Sequence, residues 1–498
     1  MELGSMALHS ADFSWLSWLL LLLLLGAGIT LIISATIARW FALAVNLLAF
    51  IVALMISIGF DSHLQGFQYI EKYTWIRGLN IHYFLGIDGI SVLFLPATTL
   101  LFTAIILASW NSINKLRNLY FALLLILECS ILGVFVALDT IVFILFWEIS
   151  LIPLFFLITL WGVGANRRYA GVKYVLFMMG GGLALLFAFV LLALGGEAGN
   201  YVFSYPELVT IAKNNQYQTI IFFLLLFGFG VKTPLFPMHT WLPVLAQEGH
   251  PASVASIVGL KLGAYGLLRF TLPLAPDAAQ SFQSLMVGLG LIAVVYGSIA
   301  ALNQSNIRRM LAFSSLSHVG LIIIALATMS QQGIQGAVFQ LLNFTMVAGG
   351  LFLLTGFLYQ RIGSTDVVSL GGIAKTMPLL TSFFFFLALA NIGVPATSGF
   401  PAELLLILSA LGHYTGIGIA VLFGIILSAA YILELFRKSF LGQCRNQAIL
   451  DAQDLKKREI LIALIICFIV LFFGLFPQLI LETMDVSTQN WVSLMTKQ

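Results

Sequence analysis

The sequence predicts an all-α polytopic membrane protein of about 14 transmembrane helices, with two inverted five-helix repeats that contain discontinuous helices 7 and 12. Three observations predict it. The 498 residues are 60% hydrophobic and only 9% charged, with a mean hydropathy of +1.04, whereas a soluble domain carries roughly a quarter charged residues. Apolar runs long enough to cross a bilayer, about 20 residues at 1.5 Å rise, recur along the whole length with no long soluble segment between them. Finally, ionisable residues around two Pro-interrupted runs recur about 170 residues apart, as repeated halves require.

Taken in order, the apolar runs place spans at 15–36, 38–60, 88–110, 118–138, 139–162, 171–195, 219–241, 252–273, 281–303, 309–329, 333–359, 378–402, 414–437 and 460–482. The N-terminal MELGSMALHSADFS lacks the basic flank of a secretory signal, so the first run reads as a retained helix. Loops after odd-numbered spans carry 16 of the 23 basic residues; five lie elsewhere outside the span interiors, and Lys232 and Lys261 lie inside. That asymmetry puts Arg167, Arg168, Arg308, Arg309 and the 437–458 loop in the cytoplasm and both termini on the other side. The expected organisation is 1–117 (helices 1–3), 118–273 (first repeat, helices 4–8), 274–442 (second, inverted repeat, helices 9–13) and 443–498 (a cytoplasmic loop and helix 14). The loop 60–87 and the segment 196–218 read as interfacial pieces outside the cytoplasm. The charged run 443–459 reads as a solvated loop, with partner docking as the other reading.

A charge at mid-bilayer costs about 2.5–3.5 kcal/mol on insertion scales, so it persists where it faces a bundle interior, water or another charge. Glu128, Glu148, Lys232, Lys261, His318, Glu403 and Glu434 meet that description. Glu148 sits in VFILFWEISLIPLFFLITLWG, Lys232 before the break TPLFP, and Lys261 in VASIVGLKLGAYGLL. A carboxylate and two lysines in one bundle stabilise each other and suit proton exchange; the alternative is a structural buried ion pair. His318 suits a proton relay, or else a hydrogen-bonded core position. Glu403 ends GVPATSGFPAE, whose Pro395, Gly399 and Pro401 interrupt the helix; a broken helix at membrane depth is tolerated where protein buries it or a wet cavity adjoins it. Glu128 either joins this axis or faces a water. Glu434 pairs with Arg437 at a helix end, His239 packs beside Trp241, and Gly180–Gly182 reads as close helix packing.

The repeat orders these residues. Lys232 and Glu403, each beside a Pro-interrupted segment, lie 171 residues apart, and Glu148 and His318, two helices earlier, lie 170 apart. Spans 4–8 and 9–13 therefore read as five-helix repeats. An odd number of spans inverts the second copy, and interrupted helices at matching places mark a transport site.

The motifs FLGIDGISVLF, FWEISLIPLFFLITLWG, RRYAGVKYVLF, VKTPLFPMHTWLP, LKLGAYGLLRF, QSNIRRMLAFSSLSHVG and LANIGVPATSGFPAE, in this order, resemble the antiporter-like membrane subunits of respiratory complex I, the chain M or subunit 4 type. The resemblance covers about 84–480. It implies 14 helices with two inverted repeats, and a proton path in which Glu148 and Lys232 match a Glu–Lys pair, Lys261 a central lysine, His318 a relay histidine and Glu403 the glutamate of the second broken helix. It implies a non-redox subunit of a proton-translocating NAD(P)H- or ferredoxin-linked quinone (plastoquinone) oxidoreductase. NAD(P)H or ferredoxin, iron–sulfur clusters and quinone are expected on other subunits, none on this chain. Partners are other membrane subunits of a complex I-like assembly, including neighbouring antiporter-like subunits, and the lipid bilayer, with no nucleic acid; the membrane is a bacterial inner or cyanobacterial thylakoid membrane. The three cysteines, Cys129, Cys444 and Cys467, lack the clustered spacing of a metal or iron–sulfur site.

The chain departs from the family pattern in places. Phe344 stands where a second histidine is common, which implies that water or another side chain bridges His318 and Glu403. Asn306 replaces an aspartate, Val244 and Ala246 replace Asp and His, and the stretch from Trp241 to Lys261 is shortened. These departures are similar to a specialised paralogue of the cyanobacterial and chloroplast chain 4 group, including CO2-uptake forms. Two other functions share the fold: a subunit of a multi-subunit cation/proton antiporter, and a membrane subunit of an energy-converting hydrogenase.

Overall fold

Helices form wherever the apolar runs predict them, because a chain in lipid must satisfy its backbone polar groups internally. The computed structural model describes residues 7–11, 13–196, 201–444 and 446–495. Parts of the N-terminal stretch, of 196–218 and of 443–459 lie outside the described residues. Among the described residues, eleven helices are long and apolar enough to cross a membrane. They coincide with predicted spans 1, 2, 4–6, 8–11, 13 and 14. Span 3 is the shorter Phe94–Ser109. Spans 7 and 12 are interrupted, as Gln218–Lys232 with Trp241–Glu248 and Pro378–Asn391 with Gly399–His413. Spans 10 and 11 are wholly buried and 4 and 8 nearly so, while 1, 2, 13 and 14 turn most of their surface outward. The helices that carry Lys261 and His318 are therefore the innermost.

Four expectations change. Span 12 runs to His413, not 402, because Pro401 sits in the first turn of its second half, where a missing N–H costs little. Span 14 is Lys457–Leu475; Phe476 and Pro477 end it, since Pro disfavours helix in the residue before it. A further helix, Gln478–Met495, then packs its Met484, Thr488 and Trp491 side against the bundle. The loop 60–87 holds secondary structure that was not expected, an antiparallel hairpin of β1 (Gln68–Ile76) and β2 (Ile81–Ile87), turned at Asn80 in the left-handed region.

The hairpin holds the ends of two spans. Glu71 accepts the N–H groups of Leu16 (2.8 Å) and Ser17 (3.1 Å), capping the unpaired donors at the start of span 1. Asp139 caps span 5 by accepting from Ile141 N–H at 2.9 Å and also accepts from His82 N–H of β2 at 3.0 Å. Asn306 caps span 10, accepting from Arg308 N–H at 3.0 Å. The 443–459 run is folded, not merely solvated. Asp454 accepts from Leu379 N–H at 2.7 Å and Leu380 N–H at 3.1 Å at the start of span 12. Arg361 at the end of span 11 donates to Gln453 O, Asp454 O and Glu459.

Candidate functional site

Span 5 is Thr140–Ile149 and Leu151–Trp161, joined through Ser150, which keeps helical dihedrals (φ −60°, ψ −21°) and donates its N–H to Phe146 O at 3.2 Å. One carboxylate oxygen of Glu148, Oε1, is buried without a hydrogen-bond partner and lies against Gly182 of span 6, where any Cβ would approach it to 1.7 Å. Gly182 is thus a slot for this carboxylate, beyond the close packing expected of the glycine run.

Lys232 ends the first half of span 7. Its Nζ donates to Ser150 Oγ at 2.9 Å and Trp147 O at 3.4 Å, and sits 3.8 Å from the centroid of the Trp147 ring. Glu148 and Lys232 interact electrostatically, but among the described residues they make no ion pair within 4.0 Å; the lysine instead holds the residue beside Glu148 and the serine at the junction. Trp241 Nε1–H donates to Val231 O at 2.9 Å, satisfying a carbonyl that the interruption frees. Lys232, Ser150, Tyr174, Trp241 and Ser256 line a cavity of about 20 Å³, on the scale of a single water. His239, in the same interruption, packs on Phe236, Tyr296 and Phe313 as the sequence suggests.

Span 8 holds an interruption that the sequence reading missed. Pro251–Gly259 stops, Lys261 adopts φ −84°, ψ 62°, and the helix restarts at Leu262. No proline marks the place, and only the flanking Gly259 and Gly263 hint at it. Lys261 is buried, its Nζ has no hydrogen-bond partner, and it lies 5.8 Å from the Phe344 ring centroid. An unpaired buried amine is costly, so a structural ion pair does not account for it.

His318 Nδ1 is 2.9 Å from Ser314 O and Nε2 is 3.1 Å from Asn391 O. Carbonyl oxygens only accept, so a neutral imidazole donates to one of the two and an imidazolium to both. Glu403 Oε1 lies 3.7 Å from Nε2. Gly393, at φ +74° in the span 12 interruption, leaves room for Glu403, whose Oε2 would meet a Cβ at 2.3 Å. The expected bridge between His318 and Glu403 is therefore unnecessary, because they adjoin directly. Phe344 instead stands edge-on 5.4 Å from His318 and so separates His318 from Lys261. The two interruptions carry their charges on opposite sides: Lys232 precedes one, and Glu403 follows the other by several residues.

Glu128 is apart from this row. It is fully buried and accepts from Asn46 Nδ2 of span 2 at 2.7 Å, while Asn46 Oδ1 accepts from Thr103 of span 3. Glu434 pairs with Arg437 (2.8 Å) and Lys438 (3.1 Å) at the end of span 13. A buried pair that the sequence reading missed, Arg269–Asp88 at 2.5 Å, joins span 8 to the FLGIDGISVLF motif. A π-helical turn, Leu267–Thr271, carries Arg269, and Phe67, Tyr205 and Trp491 stack around its guanidinium. The signal was present in the motif's aspartate, but its partner lies 181 residues away.

This architecture and sequence have known counterparts. Residues 137–428 match the family described as NADH:quinone oxidoreductase/Mrp antiporter, TM. The chain is 35% identical over 466 residues to the NADH-quinone oxidoreductase subunit M of Rhodobacter capsulatus, covering 91% of this chain and 90% of that protein. It is 35% identical over 493 residues to a NAD(P)H-quinone oxidoreductase chain 4 of Synechococcus sp. (strain JA-3-3Ab), covering 96% and 93%. A chain of respiratory complex I from Thermus thermophilus superposes with a TM-score of 0.89 at 28% identity, covering 97% of this chain and all of that one. With its interrupted helices and buried charges in place, the chain belongs to the NADH:quinone oxidoreductase/Mrp antiporter membrane family.

Proposed function

We propose that this chain is a proton-translocating membrane subunit of a quinone oxidoreductase complex, and that Glu148, Lys232, Lys261, His318 and Glu403 carry the protons in that order. One observation supports the order most: Lys261 sits without a hydrogen-bond partner at a helix interruption whose flanking Leu260 and Leu262 line the Lys232 cavity, and its amine faces Phe344, which stands against His318. An amine with no partner and no solvent is suited to gain and lose a proton as its neighbours change charge. Lysines also argue against a sodium site, since a hard cation takes oxygen ligands and no added positive charge. Electron transfer on other subunits, through NAD(P)H or ferredoxin, iron–sulfur clusters and quinone, supplies the driving force, and this chain holds no redox centre. Neighbouring antiporter-like subunits flank it, and both termini lie on the non-cytoplasmic side of a bacterial inner or thylakoid membrane. In the assembled complex, Glu148→Ala and Lys232→Ala abolish coupled proton movement and leave assembly intact. Normal pumping by both variants would make the pair structural.

A CO2-uptake role is the second reading. Its support is the likeness to a cyanobacterial chain 4 together with Phe344, Val244 and Ala246 at places where relay or polar residues are usual. Deleting the chain then impairs CO2 uptake; a deletion that spares uptake and abolishes respiratory pumping rejects this role. Copurification of flavin and iron–sulfur subunits, against small membrane partners alone, separates either reading from a cation/proton antiporter.

A further inference from the structure

A cavity of about 590 Å³ with a mixed lining lies at one end of the bundle, its polar side chains including Asn111, Ser112, His250, Gln360 and Lys456. These residues come from the loops or helix ends after spans 3, 7, 11 and 13, all odd-numbered, so they share the side that the basic residues mark as cytoplasmic. At roughly 30 Å³ per water the cavity holds a sizeable cluster. From it a hydrogen-bonded chain leads inward. His250 Nε2 is 3.1 Å from Ser112 Oγ, and its Nδ1 is 3.5 Å from the hydroxyl of Tyr120 in span 4. That hydroxyl is 3.0 Å from Ser253 Oγ and 2.8 Å from Ser109 Oγ. Ser256, one helical turn beyond Ser253, lines the small cavity that Lys232 also lines. Two steps lack a direct side-chain hydrogen bond: Ser253 to Ser256, whose hydroxyl donates to Ser253 O at 2.7 Å, and Ser256 to Lys232, which face each other across the small cavity; residues three apart on a helix have Cβ atoms about 5–6 Å apart.

We propose that His250, Tyr120 and Ser253 form the cytoplasmic proton inlet to Lys232, a role that rests on the buried row proposed above. The transfer balances proton for proton. His250 Nε2 takes a proton from the cavity while Nδ1 passes its own to the Tyr120 hydroxyl. Tyr120 releases its proton to Ser253, and Ser253 releases one toward Ser256 and the neutral Lys232 amine. His250, Tyr120 and Ser253 each end with the number of protons they began with, His250 in its other tautomer, and the Lys232 amine gains the one proton that has moved. His250 is placed for this by its position: it immediately precedes Pro251, the first residue of span 8, at the mouth of the shortened Trp241–Lys261 stretch. Burial, with the Arg308 guanidinium nearby, pushes its imidazole down to about 4. It is therefore neutral at physiological pH and offers one donor and one acceptor nitrogen.

The test uses the assembled complex reconstituted into vesicles with an entrapped pH dye. Tyr120→Phe removes only the hydroxyl, and His250→Ala opens onto the cavity. Coupled proton translocation falls about tenfold or more in each, and added imidazole restores His250→Ala but not Tyr120→Phe. A merely structural histidine would show no imidazole rescue. Lys232→Ala is the control: translocation lost there but unchanged in Tyr120→Phe and His250→Ala overturns the inlet alone. Translocation unchanged in all three overturns the buried row and the inlet with it.

Discussion

Two carboxylates of the proposed row, Glu148 and Glu403, rest against glycines on other segments, Gly182 and Gly393. A methyl group at Gly182 displaces the Glu148 carboxylate instead of breaking the helix, because the atom it meets is the end of a flexible side chain. Gly182→Ala therefore assembles normally but loses most coupled proton movement in vesicles; wild-type pumping would show that the position of Glu148 does not matter. At this scale the sequence was informative about charge and silent about neighbours. The five ionisable residues stand out because a charge in an apolar run is costly. Their slots, the Trp147 and Ser150 grip on Lys232, and the place of Phe344 between Lys261 and His318 depend on contacts between distant segments, which local pattern does not encode.

Helix ends follow the same division. Prolines announced the interruptions of spans 7 and 12, and Pro153 stands three residues after the junction at Ser150, but the interruption at Lys261 carries no such mark. The hairpin was hidden because its alternation lies in a segment read only for polarity, and the last helix because its pattern follows Pro477. Caps give the element scale its prediction. Asp454 satisfies two N–H groups at the start of span 12. Asp454→Ala leaves them without a carboxylate and costs about 1 kcal/mol, lowering the thermal midpoint of the purified complex while pumping per turnover is unchanged. An unaltered midpoint would mean that the 443–459 run does not restrain the helix.

Across the whole molecule, the buried charges run from Glu148 and Lys232 through Lys261 to His318 and Glu403, with Lys261 and His318 on the most enclosed spans. Arg269–Asp88 and the Glu128–Asn46 contact lie off that row as fixed anchors. The fourteen-span count and the inverted repeats were legible because charge parity and apolar length are global properties of the chain. The direct His318–Glu403 contact was not, since it joins helices 85 residues apart in number only through the second interruption. The measurement that tests the central claim most directly is proton translocation by the assembled complex carrying Lys261→Met. Lys261 has no hydrogen-bond partner to lose, and replacing a buried charge by an apolar group of similar shape is neutral or stabilising to the fold. Proton carriage through the row predicts a stably assembled complex that no longer pumps through this chain; a stable complex that pumps at the wild-type rate would contradict it.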